Sequence, residues 1–130
     1  QFRITLNPED MSAGRKLFED LAAAGISVGS LNLSEKEAMF AVFTPDVERT
    51  CEVLDNTEFK YVLNTGCGKV TVVGNAMRGV PGVMATFVAA LASKKIAILQ
   101  TVDSDTTISA IIKEEYLNEA VKALHEAFKL

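Results

Sequence analysis

The chain carries one pattern twice. Residues 11–54 lie on residues 81–124 at a constant shift of 70, without a gap. Leu21 falls on Leu91, Ile26 on Ile96, Val28 on Ile98, Val42 on Ile112, Val47 on Leu117, Cys51 on Val121 and Leu54 on Leu124. Apolar character is kept rather than identity, so the repeat preserves a core. Upstream, Ile4-Thr5-Leu6 is set against Val70-Thr71-Val72 at a shift of 66, which gives the second copy four extra residues between its first strand and first helix. Such a duplication calls for two similar small units, here placed at residues 1–65 and 66–130. The longer loop of one copy is the first place to look for function, because loops carry changes that packed elements do not tolerate.

Both copies read as the same series of elements. Phe2–Leu6 alternates apolar and polar residues, the two-residue period of a strand. Asn7-Pro8-Glu9-Asp10 predicts a helix start, with Asn7 as N-cap, Pro8 at the first helical position and acids at the positive end of the dipole. Leu17, Phe18 and Leu21 form its apolar face and Gly25 closes it. Gly14 inside that helix costs about 1 kcal/mol relative to alanine, which suggests close packing there. Strands at Ile26–Leu33 and Glu37–Phe43, a helix from Thr44 and a strand at Thr57–Leu63 complete a β-α-β-β-α-β unit. After a turn at Asn64–Gly68 the second copy follows: strand Lys69–Val73, helix Pro81–Ser93, strands Ile96–Thr101 and Thr106–Lys113, and helix Glu115–Phe128. It stops before a last strand. The order predicts an α+β fold of two ferredoxin-like units, each an antiparallel sheet with its helices on one face, the second lacking its last strand in this chain. That strand would come from upstream or from a neighbouring chain, or an edge stays open.

A net charge of −4, with no basic run longer than Lys94-Lys95, argues against a nucleic-acid partner. No apolar stretch reaches the roughly 20 residues of a membrane span. No signal peptide is expected, since Gln1 opens directly in a strand-like segment. We expect a piece of a longer cytoplasmic protein. Cys51 and Cys67 lack C-x-x-C spacing and read as free thiols, Cys51 buried in a repeat position and Cys67 partly exposed in a glycine-flanked turn. His125 is the only histidine and reads as a surface residue, so neither a triad nor a metal site can be assembled. We expect no catalytic residue, no cofactor and no metal.

Two loops carry the polar chemistry. Gly74–Gly82 joins a strand to a helix N-terminus, whose free N–H groups suit a carboxylate. Val80-Pro81 follows Gly79 where a phosphate loop needs Lys and Ser or Thr, so a nucleotide is disfavoured. The glycines are equally explained by a tight turn. In Asp103-Ser104-Asp105-Thr106-Thr107, carboxylates and hydroxyls suit an ammonium group, and a solvated hairpin is the competing reading.

Val70-Thr71-Val72-Val73-Gly74-Asn75-Ala76-Met77-Arg78-Gly79-Val80-Pro81-Gly82-Val83 resembles the start of the second ACT domain of bacterial aspartate kinases. Ala123-Leu124-His125-Glu126-Ala127-Phe128 is similar to the close of that domain, and Leu99–Ser109 looks like the diaminopimelate-responsive branch. The resemblance implies a tandem regulatory region whose kinase domain, phosphorylating aspartate with ATP, lies upstream. It implies feedback inhibition by meso-diaminopimelate, lysine or threonine, and homodimers formed by ACT–ACT pairing. Effector contacts are then expected from Asn75, Met77, Arg78, Gly79, Val80 and Pro81, and in the first copy from Asn7 and Asp10. Gln100, Asp103, Ser104 and Thr107 would complete the site, with Ser27 standing where the family carries an asparagine after the first helix. A structural dimerisation module that binds no ligand is the alternative.

Overall fold

Alternation in the first strand is realised as burial. Along β1 (Phe2–Thr5), Phe2 and Ile4 are buried while Arg3 and Thr5 face solvent. The computed structural model describes residues 1–10, 12–74 and 81–129, and the chain forms two compact units, Gln1–Asn64 and Thr65–Leu130.

In the first unit β1 is followed by α1 (Ala13–Ala23), β2 (Gly29–Leu33) and β3 (Glu37–Ala41), then a single 3-10 turn, α2 (Val47–Asp55) and β4 (Lys60–Leu63). The sheet order is β2-β3-β1-β4, every pair antiparallel. Phe2, Ile4, Leu17, Leu21, Phe40 and Leu54 form the centre of its core. Phe40 stacks on Phe2 with ring centroids 5.5 Å apart and takes Phe18 edge-on at 5.9 Å. Thr50 is buried beside them, and its hydroxyl donates to the Asp46 carbonyl at 2.7 Å, so that hydroxyl is satisfied.

The second unit runs β5 (Cys67–Val73), α3 (Val83–Ser93), β6 (Gln100–Asp103), β7 (Thr107–Lys113), a 3-10 turn and α4 (Leu117–Phe128). Its antiparallel sheet has the order β5-β7-β6, over a core of Val70, Val72, Phe87, Leu91, Ile112 and Leu124. Among the described residues no strand pairs with the outer edge of β5, in line with the expected missing strand.

The strand registers correct the repeat. Ile4 lies opposite Ala38, and Val72 lies opposite Ile108. Ala38 and Ile108 are repeat partners at the shift of 70, so Ile4 matches Val72 at a shift of 68, not Val70 at 66. The bonds beyond the strands agree: the Leu6 amide donates to the Lys36 carbonyl and the Gly74 amide to the Thr106 carbonyl, both at 2.8 Å. The second copy's loop is therefore longer by two residues rather than four. A slip of two leaves every side chain on its own face, so an apolar pattern does not detect it.

Element boundaries shift for local reasons. α1 starts at Ala13, not at Asn7 and Pro8. The Asn7 side chain instead accepts the Glu9 amide at 3.0 Å, and Asp10 accepts the Ser12 amide at 3.1 Å, turns that compete with helix. Gly14 is not placed for clearance: a Cβ there would meet Leu33 Cδ1 at an ordinary 3.6 Å. β2 and β6 begin at Gly29 and Gln100, later than the alternation implies. Ile26 and Ile96 are core residues whose amides donate back to Leu21 and Leu91 at 3.0 and 3.1 Å, closing the preceding helices. α3 starts at Val83 and α4 at Leu117, and Cys67 and Gly68 belong to β5 rather than to a turn. Both cysteines are free and half-buried, so Cys51 is less enclosed than its repeat position suggests.

Tyr61 on β4 packs its ring against Phe2 at 5.9 Å and donates its hydroxyl to Asp55 Oδ1 at 2.8 Å. The Asp55 carboxylate, reinforced by partial burial and by Cys51, pushes the phenol well above the usual tyrosine value. A raised folded pKa stabilises the fold fully below the unfolded value of about 10 and loses that contribution as pH rises through the folded one. Ultraviolet titration of tyrosinate is expected to contain a late, high-pH phase that Tyr61→Phe removes. A titration without that late phase would contradict the Asp55 contact.

Candidate functional site

In each unit the residue that follows the first strand bonds the hairpin between the middle strands, at one end of the sheet. In the second unit the Gly74 amide bonds the Thr106 carbonyl at 2.8 Å, which ties the start of the Gly74–Gly82 loop to the Asp103–Thr107 hairpin. In the first, Leu6 and Lys36 make the same bond, which places Asn7 beside the hairpin at Ser34–Glu37.

The hairpin hydroxyls serve the turn. Ser104 Oγ accepts the amides of Thr106 and Thr107 at 3.3 and 3.1 Å and shares a hydrogen with Thr107 Oγ1 at 2.7 Å. Ser34, its repeat partner, accepts the amides of Lys36 and Glu37 at 3.3 and 3.2 Å in the same way. Ser104 is thus accounted for by turn chemistry. The exposed Asp103 differs: Leu33 stands at its repeat position, so the turn does not require a carboxylate.

Asn75, Met77, Arg78, Gly79 and Val80 lie outside the described residues, as does Met11. Pro81 is exposed in the turn before α3. Gly82 enters that helix in the left-handed region, with φ of +83°, and among the described residues no side chain caps it. A shallow hollow of about 320 Å³ opens there, where Pro81, Gly82 and Thr86 face Ala127 and Phe128 of α4. Gln100 is buried, with 3% of its surface exposed, opposite Ile111 and on the same strand as Asp103. Ser27 is exposed in the link between α1 and β2, at the far end of the sheet from Asn7, so the first unit does not bring those two together.

Asn7 and Asp10 do come together, in a cleft of about 730 Å³ within the first unit. One wall is the β1–α1 loop and the α1 residues Lys16 and Asp20; the other is the α2–β4 connection with Glu58 and Lys60. Asp10 Oδ1 accepts the Ser12 hydroxyl at 2.7 Å as well as its amide. These two bonds, with help from the charge of Lys16, hold the Asp10 carboxyl below its ordinary value, so it is ionised at neutral pH. Lys16, Asp20, Glu58 and Lys60 carry no sequence signal that separates them from a solvated surface. Only the one-turn spacing of Lys16 and Asp20 on α1 hints that they share a face. Among the described residues no cluster of His, Cys, Asp and Glu suits a metal ion, and His125 is exposed in the last turn of α4.

Comparison with known proteins places this geometry. Residues 62–126, half of the chain, match the ACT domain family. The chain belongs to the ACT domain family. Aspartokinase 1 of Bacillus subtilis (strain 168) is 35% identical over 130 residues, which are all of this chain and 32% of that enzyme. The regulatory subunit of aspartate kinase from Thermus thermophilus, in a ligand-free form, superposes with a TM-score of 0.83 at 27% identity, covering 98% of this chain and 91% of that one. The corresponding subunit from Thermus flavus gives 0.89 at 26% identity, with 98% and 90% covered. The ACT domain of this chain thus matches the regulatory regions of aspartokinases, and the chain spans about a third of the length of the curated relatives. The fold is that of ferredoxin-like ACT units, α+β with antiparallel sheets. No helix among the described residues is long and apolar enough to cross a membrane.

Proposed function

We propose that the chain is the amino-acid-sensing regulatory region of a cytoplasmic aspartate kinase, with the kinase domain upstream. Its effector is an amino acid of the aspartate-derived pathway: meso-diaminopimelate, lysine or threonine. The observation that carries this reading is the bond from the Gly74 amide to the Thr106 carbonyl, which ties the end of β5 to the hairpin that carries the exposed carboxylate Asp103, in a unit whose α3 N-terminus has no side-chain cap among the described residues. The helix end suits the effector's carboxylate and Asp103 suits its ammonium. The resemblance of the sequence adds Asn75, Met77, Arg78, Gly79, Val80, Pro81, Gln100 and Thr107 to that site. Regulation follows if the effector binds one arrangement of the assembled enzyme more tightly than another; a coupling of about 1–3 kcal/mol is enough.

Pairing of ACT units into a dimer is the second part of the proposal. α3 has no charged residue between Val83 and Ser93, and Met84 and Val88 remain 37% and 40% exposed on its outer face. An apolar helix face left in water is the feature that a second chain covers.

One observation favours a module that dimerises and binds nothing: Ser104 and Thr107 already satisfy each other within the turn. Asp103→Ala separates the two readings. As an effector contact, its loss raises the dissociation constant for the effector about tenfold, a change of about 1.4 kcal/mol, and leaves the melting temperature of the free protein unchanged. An effector titration identical to that of the wild type removes Asp103 from the site.

A further inference from the structure

We propose that Val42 and Phe43, just beyond β3, are the docking surface for the segment of the natural chain immediately upstream of Gln1, which continues β1 there as a strand. That segment is the connector to the kinase domain, so its identity rests on the regulatory reading above. The two units supply the comparison. β7 runs to Lys113, whereas β3 ends at Ala41, two residues short of Phe43, the repeat partner of Lys113. β5 opens at Cys67, which at the shift of 68 falls two places upstream of Gln1, whereas β1 opens only at Phe2. Both strands of the first unit are thus short at the same end of their ladder.

The second unit shows what a lead-in does at that end. Cys67 lies in register with Lys113. The Glu114 amide donates to the Gly66 carbonyl and Lys113 Nζ to the Thr65 carbonyl, both at 2.8 Å. Gly66 and Glu114 are therefore the hydrogen-bonded pair, and Cys67 and Lys113 the alternate kind, whose side chains stand closer. In the first unit Phe2 lies opposite Phe40, and the same register carried upstream sets Phe43 opposite the second residue before Gln1. The Thr44 amide then meets the carbonyl of the third. Gln1 is already in line for this course: its nitrogen donates to the Asn64 carbonyl at 2.9 Å, and its carbonyl accepts the Asn64 amide at 2.8 Å. Where Lys113 holds its lead-in with an ammonium, Phe43 offers a ring, and aromatic side chains at such positions stabilise strand pairs. Phe43 is 76% exposed, the most of any large apolar side chain among the described residues, and the Thr44 amide has no partner among them. A connector bound as a strand leaves no free link before β1, so a displacement of the first unit passes to the preceding domain instead of being absorbed.

Hydrogen–deuterium exchange with mass spectrometry, read on peptides that contain Thr44, tests this in the 130-residue chain and in the full-length protein. Thr44 exchanges freely in the former and about tenfold more slowly in the latter. Phe43→Ser in the full-length protein returns most of the lost exchange, and in the 130-residue chain it leaves the melting temperature unchanged, because the ring is exposed there. Equal exchange in the two proteins, or protection that survives Phe43→Ser, overturns the proposal. A second copy of the chain is the competing occupant. The chain has no tryptophan, so in Phe43→Trp a single indole reports its own surroundings. Emission that moves to shorter wavelength as the concentration of the 130-residue chain rises gives Phe43 to a contact between copies and overturns the connector. Titration with amino acids is read separately. If Thr44 is protected and no amino acid binds, the regulatory reading fails while the docking surface stands; if an amino acid binds and Thr44 is not protected, only the docking surface falls.

Discussion

Phe40→Ala is expected to destabilise the first unit by about 3–5 kcal/mol, the range for removing a buried aromatic ring. Phe40 is fully buried on β3, stacks on Phe2 of β1 and receives the edge of Phe18 from α1. One side chain therefore ties two strands to a helix. Its loss removes the transfer energy of the ring and two aromatic contacts worth about 0.5–1.5 kcal/mol each. Collapse cannot fill the space, because β3 is paired on both sides, with β1 and with β2. Chemical denaturation followed by circular dichroism measures the effect; a loss below about 1 kcal/mol would mean that the core is not packed around Phe40.

Gly68→Val is expected to cost the second unit about 1–3 kcal/mol by overpacking. A Cβ at Gly68 would come within 2.5 Å of Leu117 Cδ1 and 3.0 Å of both Cδ2 and Cγ. All three are side-chain atoms that turn together about the Leu117 Cα–Cβ bond, so relief requires the leucine to leave its place against the second core. Leu117 opens α4 and packs against the second core, while Gly68 is held in register opposite Ile112, so neither backbone retreats freely. The double variant Gly68→Val with Leu117→Ala should lose less stability than the sum of its two single changes, with a coupling of about 0.5–3 kcal/mol. Additive losses would show that the two side chains do not meet.

These contacts mark how far the sequence reaches. The repeat, the order of elements and the inward positions Leu17, Leu21, Leu54, Leu91 and Leu124 follow from spacing alone, because a packed core demands apolar residues at fixed intervals. The two-residue slip of the first strand does not, since the strand period is itself two. The start of α1 is hidden because Asn7 and Asp10 are good capping residues and good turn residues, and only the paths of their hydrogen bonds decide which. At the candidate site, the hairpin at Asp103 is legible as a polar loop. That Ser104 is consumed by the turn while Asp103 is not emerges only from the bonds and from the contrast with Ser34 and Leu33. The cleft is invisible in the sequence: Lys16 and Asp20 lie about forty residues from Glu58 and Lys60, and their convergence is a product of how β4 returns beside β1. Gly68 gives no sign of its tight neighbour because Leu117 is 49 residues away.

Amino-acid sensing is tested most directly by thermal denaturation of the purified chain with lysine, threonine and meso-diaminopimelate in turn, each at a series of concentrations. At 100 times its dissociation constant a ligand that binds only the folded state adds about 2.7 kcal/mol, which raises the melting temperature of a unit this size by several degrees. A saturable rise with one of these amino acids, absent with unrelated ones, is the expected result. A melting temperature indifferent to all of them would contradict the sensing role.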